Sequence, residues 1–219
     1  MTKTIKFISS QPQFNISHPL PASKLVPEWY RKMPGVGEGI ETVKKCVPIL
    51  DALTSGYVIT LPTDVYFDGS NKQFWSDSPF PINSDHHSIQ TQDVEIDPDF
   101  DSQPHKWINL WKIKTPKGYS CLFIHPLNRT DLPFKSFTGV VDTDKHPLII
   151  NFPFVMKKDF SGRIPAGTPI IQIIPFKRED WKSDIVDNLQ YKEDPRQHEV
   201  DLPPYNWYKR NFWSRKIYS

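Results

Sequence analysis

Residues 137–154 read FTGVVDTDKHPLIINFPF. Two carboxylates, Asp142 and Asp144, stand between a glycine turn and an apolar run. The run PLIINFPF (147–154) has β-branched and aromatic residues interrupted by single polar ones, which predicts a strand buried on both faces. TPIIQIIPF (168–176) has the same character. Two such strands around a polar corner set the class as mainly β. They also pose a question: are the acids catalytic groups, or do they only shape the corner?

Working outward, further strands are expected at Thr4–Ile8, YVITL (57–61), VYF (65–67), SIQTQDVEI (88–96), WINLWKIKT (107–115) and YSCLFIH (119–125). Pro116-Lys117-Gly118 reads as a hairpin turn between the last two. Short helices are expected at PEWYRKMPG (27–35) and VPILDALTSG (47–56), each opened by proline and closed by glycine. After Phe176, Trp181, Ile185 and Leu189 recur every four residues behind Glu179 and Asp180, which predicts one longer amphipathic helix. The chain divides into an N-terminal extension (1–54), a β domain (55–176), and a helix with a C-terminal arm (177–219).

The 219 residues carry 22 prolines, 9 glycines and a formal net charge of +2. That length can bury a sizeable core. The charge argues against a generally basic nucleic-acid coat. No apolar run reaches the roughly 20 residues of a membrane span, and no secretory leader is evident. Cys46 and Cys121 form no framework and read as reduced, packed thiols. A cytoplasmic protein without a membrane partner is expected.

Residues 73–105 lack Lys and Arg but contain Asp77, Asp85, Asp93, Glu95, Asp97, Asp99, Asp101 and three histidines. Calcium-loop spacing is absent, so this reads as a solvated acidic edge, and no metal site is assigned. The arm from Tyr205 to Ser219 interleaves Tyr205, Trp207, Tyr208, Phe212 and Trp213 with Lys209, Arg210, Arg215 and Lys216, and holds no acid. That interleaving suits single-stranded nucleic acid. Docking of the rings on the core or on a neighbouring subunit is favoured, with the acidic stretch as a counter-surface.

Four segments together resemble the trimeric dUTPase and dCTP deaminase superfamily. SGYVITLP (55–62) is similar to its first motif, TPKGYSCLFIHPLNR (115–129) to its LPxGYxGxVxPRSGLA segment, TGVVDTD (138–144) to GVIDSDY, and IPAGTPIIQIIPF (164–176) to the segment ending GDRIAQLI. The resemblance covers residues 55–176. It implies a compact, jelly-roll-like (dUTPase-like, β-clip) barrel with short helices and an extended arm. It also implies a homo-oligomer, trimer favoured, with sites between subunits.

By the same resemblance Asp142 stands where the family orients an attacking water, so it is the catalytic candidate. Arg129, Asn128, Asp144 and Gln172 become ligand-binding candidates. The departures are heavy: Val58 replaces the metal–phosphate carboxylate, Leu127-Asn128-Arg129 replaces Arg-Ser-Gly, Lys145 replaces the sugar-packing tyrosine, and the glycine-rich closing motif is missing. Pyrophosphate hydrolysis needs metal, phosphate clamp and base together. The segments GYSCLFIHPLNR, GVVDTD and the aromatic, basic terminus also resemble proteins encoded by tailed phages and some bacteria, which implies a virion or assembly role. The expectation is a non-catalytic oligomeric β protein in host cytoplasm or virion, contacting other proteins through its arm. Two alternatives stand beside it: a nucleotide-binding or nucleotide-hydrolysing protein using Mg2+, and a single-stranded nucleic acid binder. Asp142 is expected to be a structural cap, since an aspartate at a corner can hold backbone N–H groups without chemistry.

Overall fold

A computed structural model describes residues 2–14, 16–85, 93–186 and 207–219. In the first part of the chain lie β1 (Lys6–Ser9), β2 (Leu20–Pro21), α1 (Glu28–Lys32), β3 (Val36–Gly37), β4 (Ile40–Glu41) and α2 (Val47–Thr54). Then come β5 (Tyr57–Thr60), β6 (Val65–Asp68), β7 (Gln73–Trp75), β8 (Asn83–Asp85), β9 (His105–Trp107) and β10 (Trp111–Lys114). The rest are β11 (Tyr119–Ile124), β12 (Phe134–Ser136), β13 (Gly139–Val141), β14 (Phe152–Met156), β15 (Gly162–Ile164), β16 (Pro169–Lys177) and α3 (Trp207–Asn211).

The fold is mainly β, and its strand pairings are antiparallel. One sheet runs β13-β11-β16-β5-β2, a second β12-β14-β9-β8 and a third β15-β6-β7, with the ribbons β1-β10 and β3-β4 beside them. Each of these sheets is open. The first strands of the chain are built into the body, since β1 pairs with β10 and β2 with β5.

All three larger sheets contribute to one core, which includes Phe67, Trp107, Phe134, Phe154, Ile164 and Ile171. Trp107 and Phe154 stack with centroids 3.9 Å apart and planes 5° from parallel. Phe134 meets both rings edge-on, an arrangement that suits their quadrupoles. β16 is buried on both faces from Pro169 to Ile173, as its apolar run, broken only by Gln172, predicts.

Several expectations need correction. PLIINFPF enters its sheet only at Phe152. The corner folds back first, with Lys145 and His146 donating their N–H groups to the Asp142 carbonyl at 2.9 and 2.8 Å. The partner strand β9 ends at Trp107, opposite Phe152, so residues before 152 have no strand to join. Leu148 is left 67% and Ile149 39% exposed.

WINLWKIKT is two strands in different sheets, separated by Asn109. The Asn109 side chain donates to the Trp111 carbonyl at 2.6 Å and accepts the Trp111 N–H at 2.9 Å, a local closure that competes with a ladder. Pro116-Lys117-Gly118 closes no hairpin, because β10 pairs with β1 while β11 pairs with β13 and β16.

The amphipathic helix is absent over 178–186, where the chain is irregular. Arg178 is drawn back to the sheet, its N–H donating to the Gly118 carbonyl at 2.9 Å. Trp181 and Ile185 stand 89% and 97% exposed, without an apolar surface to repay helix formation. Leu189 lies outside the described residues. So do His86, His87 and most of the strand expected at 88–96; residues 93–96 are not strand.

Gly56 ends α2 with φ +70°, a conformation that favours glycine. A Cβ there would sit 2.0 Å from the Ile173 carbonyl oxygen, so α2 can lie this close to β16 only through a glycine.

Candidate functional site

The acid-bearing corner follows β13. Asp142 accepts the Ser120 hydroxyl at 2.7 Å and lies 3.2 Å from the Arg178 guanidinium. Asp144 takes Arg178 through two nitrogens, at 2.9 and 2.5 Å, and accepts the Gly118 N–H at 2.8 Å. Only 5% of the Asp144 side chain is exposed. The Arg178 hydrogen bonds hold its carboxyl well below the usual carboxylate range; they outweigh the opposing effect of burial, with the Gly118 N–H adding to them.

Between the acids, Thr143 is fully buried, 2.7 Å from the Thr115 hydroxyl and with its own hydroxyl 3.4 Å from the Cys121 sulfur. Burial pushes that thiol up to about 11, so Cys121 stays a neutral, inert packing group. Chemically, the corner is a clamp. Asp144, the Oδ1 of Asp142, the Arg178 guanidinium, the Ser120 hydroxyl and the Gly118 backbone engage one another and join β13, β11 and the end of β16.

Arg129 lies at the far end of β11 from this corner. Ser120 is at one end of the strand and Ile124 at the other, and Arg129 is five residues farther on. At ~3.4 Å per residue, Ser120 and Ile124 alone are separated by about 14 Å. Asp142 and Arg129 therefore do not converge within one chain. Arg129 is held in a bidentate pair by Asp131, both contacts 2.8 Å. Burial, the largest influence, raises the Asp131 carboxyl, but the Arg129 hydrogen bond and charge, a backbone N–H and His125 together outweigh it, and the net shift is downward.

The Arg129 side chain lines an open cleft of about 840 Å³, together with Lys24, Arg31, Lys157 and Arg163. Among the described residues, Glu28 and Asp131 are the acids of its wall. Arg163 is tied to Asp64 at 2.8 Å. The volume falls in the range of small-molecule sites.

The remaining candidates have structural work. Asn128 is exposed and adopts φ +58°, the left-handed position of the turn in which the Arg129 N–H returns to the Pro126 carbonyl. Gln172 is 2% exposed and spends its amide on the Leu127 N–H (2.9 Å) and on the Ala52 and Ser55 carbonyls (3.0 and 2.6 Å). Val58, which stands at the metal–phosphate carboxylate position, is buried on β5 and offers no oxygen. The residues present therefore do not fit that metal assembly. Among the described residues, no group of three or more His, Cys, Asp or Glu is placed to hold a metal ion.

The end of the arm docks on its own chain. The Trp213 indole N–H points at both Asp51 carboxylate oxygens, 3.1 and 2.9 Å away, and the Lys216 ammonium reaches the same group at 2.5 Å. Tyr57 donates its hydroxyl to the Ser219 carbonyl at 3.2 Å and meets Tyr218 edge-on. Burial, chiefly, and Tyr218 raise the Tyr57 phenol. The counter-surface among the described residues is thus α2 and β5, not the acidic stretch. Tyr208 and Phe212 remain 43% and 39% exposed. Trp207 opens α3, and Tyr205 lies outside the described residues.

Sequence reasoning missed Arg178, which organises the corner. Its signal is positional: antiparallel pairing of β11 with β16 brings Lys177 opposite Tyr119, so the next residue falls beside the turn at Gly118. No helix among the described residues is long and apolar enough to cross a membrane. No protein-family model matches this chain, and no curated protein matches it.

Proposed function

We propose that this chain is a non-catalytic, oligomeric β protein, trimeric by preference, of jelly-roll-like and dUTPase-like architecture. It serves as a structural or interaction protein of a phage-associated kind, in host cytoplasm or virion. The observation that carries the non-catalytic reading is the engagement of both corner carboxylates by Arg178, Ser120 and the Gly118 N–H. A general base needs a lone pair aimed at substrate; Asp144 spends its oxygens on Arg178 and the Gly118 N–H, and Asp142 Oδ1 faces Ser120 and Arg178.

Assembly is supported by apolar groups left in the open. β13 is terminal in its sheet, with Val140 61% exposed. Leu148 and Ile149 follow a few residues later, on the segment that joins no strand. An unprotected edge with apolar side chains invites pairing with another chain, and the occupant proposed is a second copy of this protein. The decisive experiment is the solution mass of the wild type and of Val140→Asp/Leu148→Asp. A wild-type mass that is a multiple of 25.5 kDa and falls in the variant supports the reading. A monomeric wild type overturns it.

The cleft at Arg129 favours one second reading, a nucleotide-binding protein whose phosphates lie by Arg129 and whose sugar meets a neighbouring copy's corner. Thermal unfolding against nucleoside mono-, di- and triphosphates, with and without Mg2+, separates the two. Stabilisation by about 2.7 kcal/mol at 100 times the dissociation constant, lost in Arg129→Ala, would replace the non-binding reading.

A further inference from the structure

The strands β15, β6 and β7 alternate in burial. Val65, Phe67 and Ile164 are buried in the core, and Phe74 packs on Phe67 with centroids 4.5 Å apart. The residues between them face outward. Register places three of these in one row, with Arg163 opposite Tyr66 and Tyr66 opposite Trp75. Tyr66 and Trp75 lie in an offset stack, centroids 5.5 Å apart and planes 7° from parallel, and Trp75 is still 54% exposed. β7 is terminal in its sheet, so no strand covers the indole face turned away from Tyr66. Polar groups flank that indole. Gln73, two residues back along β7 and about 7 Å away, is exposed; its backbone N–H goes to Asn71 at 3.0 Å, and its side-chain amide has no hydrogen bond among the described residues. Asp68, opposite Gln73, accepts the N–H and hydroxyl of Ser70 at 2.9 and 2.7 Å. Arg163 is tied to Asp64 at 2.8 Å, and Lys72, in the turn between β6 and β7, is paired with Asp101. The two cations that these strands and their turn carry are thus neutralised within the chain. A ring stack that served the sheet alone would explain the pairing, but it gives no role to the open indole face or to the unbonded amide.

We propose that Trp75, with Gln73 beside it, is a binding platform for a neutral carbohydrate. One pyranose ring lies with its C–H face on the indole, and its hydroxyls meet the Gln73 amide. Sugar C–H bonds carry slight positive charge and suit the negative face of an aromatic ring. An amide both donates to hydroxyls and accepts from them. Charge decides against the other ligand with a flat face. An unpaired base brings phosphates, and sites that stack single strands set cations beside their rings; here both cations are spent, and the Asp68 carboxylate would repel a phosphate. A folded protein partner would need a contact face of about 800 Å² with an apolar centre, whereas the apolar part here is one indole on a ring pair with polar neighbours. The proposal rests neither on assembly nor on the Arg129 cleft: it can hold in a monomer and fail in a trimer.

The test is binding of the full chain to an array of neutral hexose and N-acetylhexosamine oligosaccharides, with sulfated oligosaccharides and labelled oligothymidylate as charged comparators. Titration calorimetry on the best neutral member and melting curves of each variant accompany it. At least one neutral oligosaccharide should bind, with an affinity that changes little with salt. Trp75→Ala should weaken binding by about tenfold or more, through the loss of roughly half an aromatic side chain's burial. Gln73→Ala, at an exposed position, should weaken it about fivefold, the worth of one neutral hydrogen bond, and serves if Trp75→Ala does not fold. The control Trp181→Ala removes an indole that is 89% exposed elsewhere and should change nothing. Absence of binding to every neutral member overturns the proposal. So does an unchanged affinity in folded Trp75→Ala, or binding confined to the charged comparators. A fall in solution mass in Trp75→Ala would also overturn it, by marking the face as a contact between copies.

Discussion

Arg178 grips Asp144 through two guanidinium nitrogens, at 2.9 and 2.5 Å, and thereby fastens the end of the longest strand to the corner after β13. Its NH1 also donates to the Ser120 hydroxyl at 2.9 Å and the Tyr119 carbonyl at 3.0 Å. The fork geometry of Arg makes such multiple engagement possible, and a lysine would not reproduce it. Arg178→Lys should therefore lower the melting temperature nearly as much as Arg178→Ala. Asp142→Asn, which keeps the Ser120 contact and leaves the bidentate pair intact, should cost least of the three. Calorimetry of the variants checks the order; a harmless Arg178→Ala would show that the clamp does not hold the corner.

The same pair sets an acid limb of stability. The Asp144 carboxyl is held down in the folded state by Arg178, so the unfolded chain binds its proton first as pH falls. Its contribution is complete above the unfolded value of about 3.9 and disappears as pH drops through the lower folded value. Urea unfolding midpoints should fall on acidification below about pH 4, and that fall should be shallower in Asp144→Asn. Parallel curves for the two proteins would assign the acid limb to other carboxylates.

His125 should act in a higher window. Burial, the largest influence, pushes its imidazole below the ordinary value, although the Arg129 carbonyl opposes this. The geometry matches a neutral ring: Nδ1 accepts the Ser136 N–H at 3.2 Å, which leaves Nε2 to donate to the Arg129 carbonyl at 3.2 Å. Protonation would put a second hydrogen against the Ser136 N–H. Stability should decline as pH falls from about 6.5 and level off below the folded value. A proton NMR titration should place the His125 midpoint under the ordinary value; a midpoint above it would contradict the burial argument.

Much of the strand content was legible because β signals are local: β5, β6, β11 and β16 begin within a residue of where their apolar runs predict. What was not legible is pairing. Nothing in WINLWKIKT announces that the Asn109 side chain will close on Trp111 and send the two halves to different sheets. The apolar character of 147–151 gave no warning that the chain would fold back at Asp142 before finding a partner. At the site, the two aspartates could be read from sequence, but their partner is 34 residues beyond Asp144 and becomes visible only once β11 lies between β13 and β16.

Gln172 illustrates how a polar residue inside an apolar run can be architectural. Its amide satisfies one N–H of the loop after β11 and two carbonyls at the end of α2, all from a 2% exposed position. Gln172→Leu preserves volume but leaves these three backbone groups without a partner, at about 1–3 kcal/mol for each that water cannot reach. A loss of several kcal/mol in denaturant unfolding is expected, with no specific effect on ligand binding. A near-neutral substitution would mean that water enters and replaces the amide.

Asp51 should control the arm. Its carboxylate receives the Trp213 indole N–H and the Lys216 ammonium, and its side chain is only 18% exposed. Hydrogen bonds to a charged group contribute roughly 1.5–3 kcal/mol, and the contacts of Tyr57 with Tyr218 and Ser219 continue the seam to the chain end. Asp51→Ala removes the acceptor while the backbone of α2 is kept. Trypsin should then cleave after Arg210 and Arg215 faster than in the wild type, because local opening of the arm becomes more frequent while the global melt moves little. The Trp213 emission should shift to longer wavelength as the indole enters water. An arm that stays protected in this variant would place its anchoring at Tyr57 instead.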